Sequence, residues 1–368
     1  MTLKPYEIDE DIYQRFEQRN NILFRRLWDK KFSHQGQIFE TNIDHHLNSM
    51  KDGYSRIDFA LVSAGWTVYE RFPFAFAWHR ETDYKGDYGP NWYKSKHKVI
   101  DQKLFTNKLK KAAKFFGASL VGITDINPKW IYKTGFIRPD STSEAEAKKD
   151  IRSGDTSGSI LDKPINLPEG VNKAIVIAIE MDDDAISTAP AQPASAASAL
   201  CYSKMAFIIS CVGEFIRNMG YRAIQCGNDT ALSIPLAIDA GLGALGRLGL
   251  LITPEYGPRV RLCKVFTDMP LESDTPNLEF IEKINNYCKE CNKCAEECEN
   301  GAISVDIEPC FSQDSISNNS GVKKYYVSGE KCFEFWIENS GDCGNCIAAC
   351  PFSKIKQKLT PNEFWKRL

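Results

Sequence analysis

Apolar positions in the first hundred residues follow no sustained period. Aromatic residues crowd together instead: "AGWTVYERFPFAFAWHRETDY" brings Trp66, Phe72, Phe74, Phe76 and Trp78 close in sequence, as packed core or as the wall of an apolar substrate channel. From about residue 101 the pattern sharpens. In "DQKLFTNKLKKAAKFFG" apolar residues return every three or four positions until Gly117, which predicts an amphipathic helix with a glycine stop. The β-branched "SLVGIT" and the nearly unbroken "NKAIVIAIEMD" predict strands, the second covered on both faces. "STAPAQPASAASAL" reads as a lead-in to a helix from about Cys201 to Met219, with Met205, Ile208, Ile209, Val212, Phe215 and Ile216 at helical spacing and Gly220 as its stop. "YRAIQC", "GLLIT" and "VRLCKVFTD" predict the remaining strands, the last with residues alternating between faces.

After Pro270 the chain turns polar and rich in cysteine. Three parts follow: residues 1–100 as a cap or substrate-channel region, 101–272 as an α/β core, and 273–368 as a cysteine-rich domain. The 368 residues, 43% hydrophobic and 26% charged, are enough for one large domain or two ordinary ones. A net charge of -2 gives no basic field for a phosphate backbone, so nucleic acid is not an expected partner, and the lysines from Lys103 to Lys114 read as one solvated helix face. No signal core or membrane-spanning apolar run is apparent, and the Arg25–Arg26 pair lacks the apolar run of an export signal. The expected location is the cytoplasm, unless an export leader was removed.

Thirteen cysteines in a chain without a secretion signal point to reduced thiolates rather than disulfides. In "CKECNKCAEECENG", Cys288, Cys291, Cys294 and Cys298 are spaced C-x2-C-x2-C-x3-C; Cys343, Cys346 and Cys350 follow as C-x2-C-x3-C, with Pro351 next. This is the ligand run of two-cluster ferredoxins, where the last cysteine of each run crosses to the other [4Fe-4S] cube. Cys288, Cys291, Cys294 and Cys350 are therefore assigned to one cluster. Cys298, Cys343 and Cys346 belong to the second, with Cys332 as first candidate for its remaining ligand and Cys310 as competitor. Zinc sites more often pair C-x2-4-C hairpins, frequently with histidine. Glu299 takes the place of the usual proline after the first run, and Glu290, Glu296 and Glu297 add negative charge that should lower a cluster potential.

"GLGALG", Gly241 to Gly246, satisfies the dinucleotide-binding spacing but follows a helix-like segment and precedes a strand, the reverse of the order that fingerprint needs. The stretch "CGNDTALSIPLAIDAGLGALGRLGLLITPEYGPRVRLCKVFTDMPLE", with "KCFEFW" and "CGNCIAACPFSK", resembles the corrinoid iron-sulfur reductive dehalogenases. So do "FFGASLVGITDINPKW", "LPEGVNKAIVIAIEMD" and "CYSKMAFIISCVGEFIRNMGYRAI", so that the resemblance runs from about residue 110 to 355. It implies a nitroreductase-like α/β core that holds cobalamin, then a ferredoxin-like domain with two [4Fe-4S] clusters, and reductive removal of halide from an organohalide. No histidine occurs after His97, which agrees with a base-off corrinoid whose lower face takes no protein ligand, and no D-x-H-x-x-G motif is present.

The resemblance also maps a proton-donating tyrosine onto Tyr202, placed just before the helix "YSKM". The cation beside it comes from "RVRLCKVFTD", with Lys264 as first choice and Arg261 as second, because only one can point at the tyrosine from alternating strand faces. Asn228 matches a polar pocket position, and Asn228, Ser233, Gly246 and Arg247 are the expected cofactor contacts. Trp336 is a candidate to close the pocket. The implied sequence is electron entry from an external low-potential ferredoxin, flavodoxin or reductase, passage through the two clusters to cobalt, and protonation by Tyr202 as the carbon-halogen bond breaks. The alternatives are an enzyme like epoxyqueuosine reductase, expected to show an aspartate acid, a basic surface and helical repeats, and a non-catalytic electron carrier.

Overall fold

The computed structural model describes residues 5–26, 28–32, 35–71, 96–137, 161–313 and 315–368. Phe72, Phe74, Phe76 and Trp78 of the aromatic stretch, with His34 and His79, lie outside them. Along the chain, helix α1 (Arg56–Arg71) precedes α2 (Gln102–Phe115), which Asp101 caps by accepting the Leu104 N–H at 2.8 Å. Strand β1 (Leu120–Asp125), strand β2 (Lys173–Glu180), the long helix α3 (Gln192–Asn218), strand β3 (Ala223–Cys226), helix α4 (Ser233–Asp239) and strand β4 (Val260–Thr267) complete the core.

The four strands form one sheet in the order β1-β2-β4-β3, every neighbour antiparallel, with Ile175 opposite Val265 and Cys226 opposite Lys264. β2 is buried from Ala174 to Ile179, as its apolar run required. Helix α3 packs on β3 and β4, and α4 packs on β1, β2 and β4. Arg261 reaches Ser198 of α3 while Lys264, three residues on, reaches Ser233 of α4. An odd separation along a strand means opposite faces, so the two helices sandwich the sheet.

Two sequence expectations change. α3 starts at Gln192, not near Cys201: the stretch read as a lead-in is its first turns, since Pro193 is tolerated in a first turn and alanine favours helix. Tyr202 therefore lies inside the helix. Among the described residues α3 is also the one helix long and apolar enough to cross a membrane, and it serves here as the central helix of the core. "GLLIT" does not join the sheet; Leu251–Ile252 pairs with Ala244–Leu245 in a separate hairpin. The helix before it and the strand after it exclude the dinucleotide fold at "GLGALG".

The N-terminal residues are knitted into the core. α1 lies along α3, where a Cβ on Gly65 would come within 2.9 Å of Ala199. Tyr6 donates its hydroxyl to Asp239 and Pro235, and Arg15 donates to the carbonyls of Ile131 and Tyr132. Asp274 still binds the core through the Ile123 N–H and Lys110, after which α5 (Leu278–Glu290) opens the cysteine-rich domain, later joined by α6 (Gly329–Asn339).

Candidate functional site

A cavity of about 1070 Å³ lies where the core meets the cysteine-rich domain. That is at the upper end of ordinary small-molecule sites. Tyr202 of α3, Asn228 after β3 and Arg261 of β4 all face it, with Trp66 of α1 and Trp336 of α6 among its aromatic walls. Asn228 Nδ2 donates to Tyr202 Oη at 2.6 Å. Trp66 tilts against the Tyr202 ring at 4.8 Å between centroids, and Tyr69 meets it edge-on at 5.3 Å. Burial raises the Tyr202 phenol above its ordinary value, against the pull of Arg261 and the Asn228 hydrogen bond. At neutral pH Tyr202 is therefore a protonated phenol, able to give a proton to a carbon that gains electrons.

Arg261, not Lys264, is the cation beside the tyrosine. Its Cζ lies 5.9 Å from the Tyr202 ring centroid and its Nη2 donates to Ser198 Oγ at 2.6 Å. Lys264 is fully buried on the other face, donating to the carbonyls of Gly227 and Ala231 and to Ser233 Oγ at 2.6–3.0 Å. It holds the loop that carries Asn228. The strand alternation that made the two residues rivals thus decides between them. Asp342, just before Cys343, also lines the cavity; its carboxyl is raised by burial while Arg261 and a hydrogen bond from Ser198 oppose the rise. Nothing in the sequence singled it out, because its partners lie far away in the chain.

The thiols fall into the two expected groups. Cys294 has the thiols of Cys350, Cys288 and Cys291 as neighbours, and burial pushes it up to about 12. Cys332 has Cys343 and Cys298 beside it and is likewise pushed up to about 12, chiefly by burial. Cys346 faces Cys332, Cys343, Cys294 and Cys298. Cys310 stands apart, exposed, with its thiol on the Ser312 carbonyl. Cys332 is therefore the outlying thiol that joins the second quartet. Among the described residues no three His, Cys, Asp or Glu side chains converge closely enough for a single ion. Two open thiol quartets fit cubes rather than zinc. Glu299, in the place of proline, accepts from Asn345 Nδ2 at 3.1 Å and so ties the first cysteine run to the turn between Cys343 and Cys346.

Cys298, Cys332, Cys343 and Cys346 line the cavity, whereas Cys288, Cys291, Cys294 and Cys350 do not. One quartet is thus inner and the other outer. Of the expected cofactor contacts, Asn228 and Ser233 line the cavity, but Gly246 and Arg247 do not. Gly246 is enclosed by Ile252 and Leu248 of its own hairpin, and Arg247 points at the outer quartet. The cavity fits a large ligand with polar groups: on its walls Arg261 Nε and Ser340 Oγ are buried without a hydrogen-bond partner among the described residues. Buried polar groups left so need a partner from a ligand or solvent.

Residues 118–271 match the family model of the reductive dehalogenase subunit, and residues 287–354 that of the 4Fe-4S dicluster domain. A tetrachloroethene reductive dehalogenase of Sulfurospirillum multivorans is 39% identical over 255 residues, covering 68% of this chain and 50% of the relative. One of Desulfitobacterium hafniense is 35% identical over 272 residues, covering 67% and 48%. The chain spans about half the length of these curated relatives. Among solved structures, the catabolic reductive dehalogenase NpRdhA shares the fold with a TM-score of 0.68 and 21% identity over 96% of this chain and 44% of that one.

Proposed function

The chain belongs to the corrinoid iron-sulfur reductive dehalogenase family, and from that membership we propose that it cleaves a carbon-halogen bond of an organohalide in the cavity between core and dicluster domain. The net change takes two electrons and one proton, replaces carbon-halogen by carbon-hydrogen, and releases halide. The observation that carries this reading is the convergence of Tyr202, Asn228 and Arg261 on the cavity that the inner cysteine quartet also lines.

A bound corrinoid supplies a reducible metal centre, and the walls that would hold it include Ser233, Leu245 and Gly249 of the core together with the residues around Cys343. Tyr202 holds the proton at Oη, and Asn228 fixes the direction of that hydroxyl. Arg261 keeps one N–H unpaired and a positive charge where negative charge gathers as halide departs. Trp66 and Trp336 keep water away from the substrate. The inner quartet on the wall and the outer one behind it suit electron delivery from a separate low-potential donor. Because the relatives named above carry tetrachloroethene in their names, a chloroalkene heads the substrates to test.

The test is anaerobic reconstitution with cobalamin, iron and sulfide, then halide release from chloroalkenes and halogenated phenols with a chemical reductant. Tyr202→Phe should abolish turnover and leave cobalt and iron contents unchanged. A fully loaded protein that releases halide from none of these substrates would overturn the proposal.

A further inference from the structure

Arg247 closes the glycine-rich stretch that imitates a dinucleotide motif, and its side chain is 2% exposed. The guanidinium donates to four main-chain carbonyls: Nε to Cys288 at 3.0 Å and Cys291 at 3.2 Å, Nη2 to Cys288 at 2.7 Å, and Nη1 to Ser304 at 2.9 Å and Asp306 at 2.8 Å. Its Cζ lies 3.8 Å from the ring centroid of Tyr325, whose hydroxyl donates to the Ile307 carbonyl of the same loop. Every acceptor is a neutral carbonyl. The Asp306 carboxylate takes the Ser304 hydroxyl instead, and no ion pair joins Arg247 to a carboxylate among the described residues.

A buried cation without a counter-ion is costly, and carbonyl dipoles only partly offset the lost hydration. The guanidinium clamps the carbonyls of Cys288 and Cys291, so the thiolates of the outer quartet bring negative charge beside it. A cube bound to four thiolates is anionic and gains a further negative charge on reduction. Glu290, Glu296 and Glu297 are exposed, so solvent screens them, whereas Arg247 acts through the low-dielectric interior.

We propose that Arg247 is the counter-charge of the outer cluster, a positioning residue that fixes the carbonyls of two of its ligands and raises the potential at which it accepts an electron. The glutamates that point to a low potential in the sequence are then opposed from inside. The hairpin of Ala244–Leu245 and Leu251–Ile252 serves to hold this one cation beneath α5.

The inference rests on the iron-sulfur assignment, and iron counting separates the two failures. Wild type, Arg247→Gln and Arg247→Lys are reconstituted without air, iron is counted, and each cluster is titrated by electron paramagnetic resonance against a redox mediator series. With about eight irons bound, Arg247→Gln should lower the reduced-to-oxidised ratio of one cluster at fixed potential at least tenfold, a shift of about 59 mV for one electron. The other cluster should stay put, and Arg247→Lys, which keeps the charge but loses the planar fork, should remain within threefold of wild type. Equal potentials in wild type and Arg247→Gln at full iron overturn the proposal. If Arg247→Gln does not fold, Arg247→Lys decides: a tenfold loss with iron intact overturns it, and retention supports it. Wild-type iron well below eight would instead sink the dicluster assignment.

Discussion

Two cations on one strand, three residues apart, separate chemistry from architecture. Arg261 faces the cavity with an unpaired N–H, whereas Lys264 saturates itself on the loop from Gly227 to Ser233. Lys264 also shares its buried surroundings with Asp229, each charge favouring the other's ionised form against burial. Removing one member of such a pair leaves an uncompensated charge and unpaired carbonyls, at a cost of about 3–5 kcal/mol. Lys264→Met should therefore lower the urea midpoint sharply and disturb Asn228 with its loop. Arg261→Met removes a cation that bonds Ser198 and offsets the buried Asp342 but unpairs no main-chain carbonyl, so it should destabilise less than Lys264→Met yet reduce kcat by about a hundredfold if it stabilises departing charge as such donors do. Paired denaturation and halide-release measurements distinguish them; equal effects of the two changes on both readouts would erase the distinction.

At the scale of elements, the dicluster domain draws its ligands from helix ends and turns. Cys288 lies in the last turn of α5, Cys332 in the first turns of α6, and Cys346 in the short helix Asn345–Ala348. Ser328 caps α6 by accepting the Lys331 N–H, which fixes the turn that presents Cys332. Cys332→Ser should cost the inner cluster, about four irons, while Cys310→Ser should keep the full complement; iron and sulfide assays decide, and the reverse result would exchange their roles. This assignment was only half legible in the sequence. Ligand spacing is local, so the two runs could be read directly, and strand parity reduced the tyrosine's partner to one of two residues. Neither Asp342 nor the task of Arg247 was legible, because both depend on segments that meet only after folding. The start of α3 is hidden for another reason: alanine and serine without charged punctuation look like a linker, and only in the folded core do they show as a buried helix.

Across the whole molecule, the N-terminal segment reads as a strap between core and cluster domain. Its aromatic residues Tyr6 and Tyr13 pack edge-on against Trp130 in the core. Arg25, first of the pair that superficially suggests an export signal, is buried and bonds Asp29 at 2.6 Å, Glu330 at 2.5 Å and Ser317 at 3.0 Å. Glu330 sits two residues before Cys332, at the start of α6, so the strap bears on the presentation of an inner-cluster ligand. Arg25, Ser315 and the backbone hold its carboxyl below the ordinary value, although burial acts the other way. A carboxylate with a depressed folded value stabilises the fold above its unfolded value, near 4.3, and that contribution is lost as pH falls through the folded value. Arg25→Met leaves Asp29 and Glu330 without their shared cation and should destabilise by about 3 kcal/mol. The inner cluster should bleach before the core unfolds, and part of the acid sensitivity that sets in as pH falls below the unfolded carboxylate value, about 4.3, should disappear. Visible absorbance and far-ultraviolet circular dichroism, followed together on heating at several pH values, test this. A single transition as steep and as acid-sensitive as wild type would show that the strap rests on the cluster domain without supporting it.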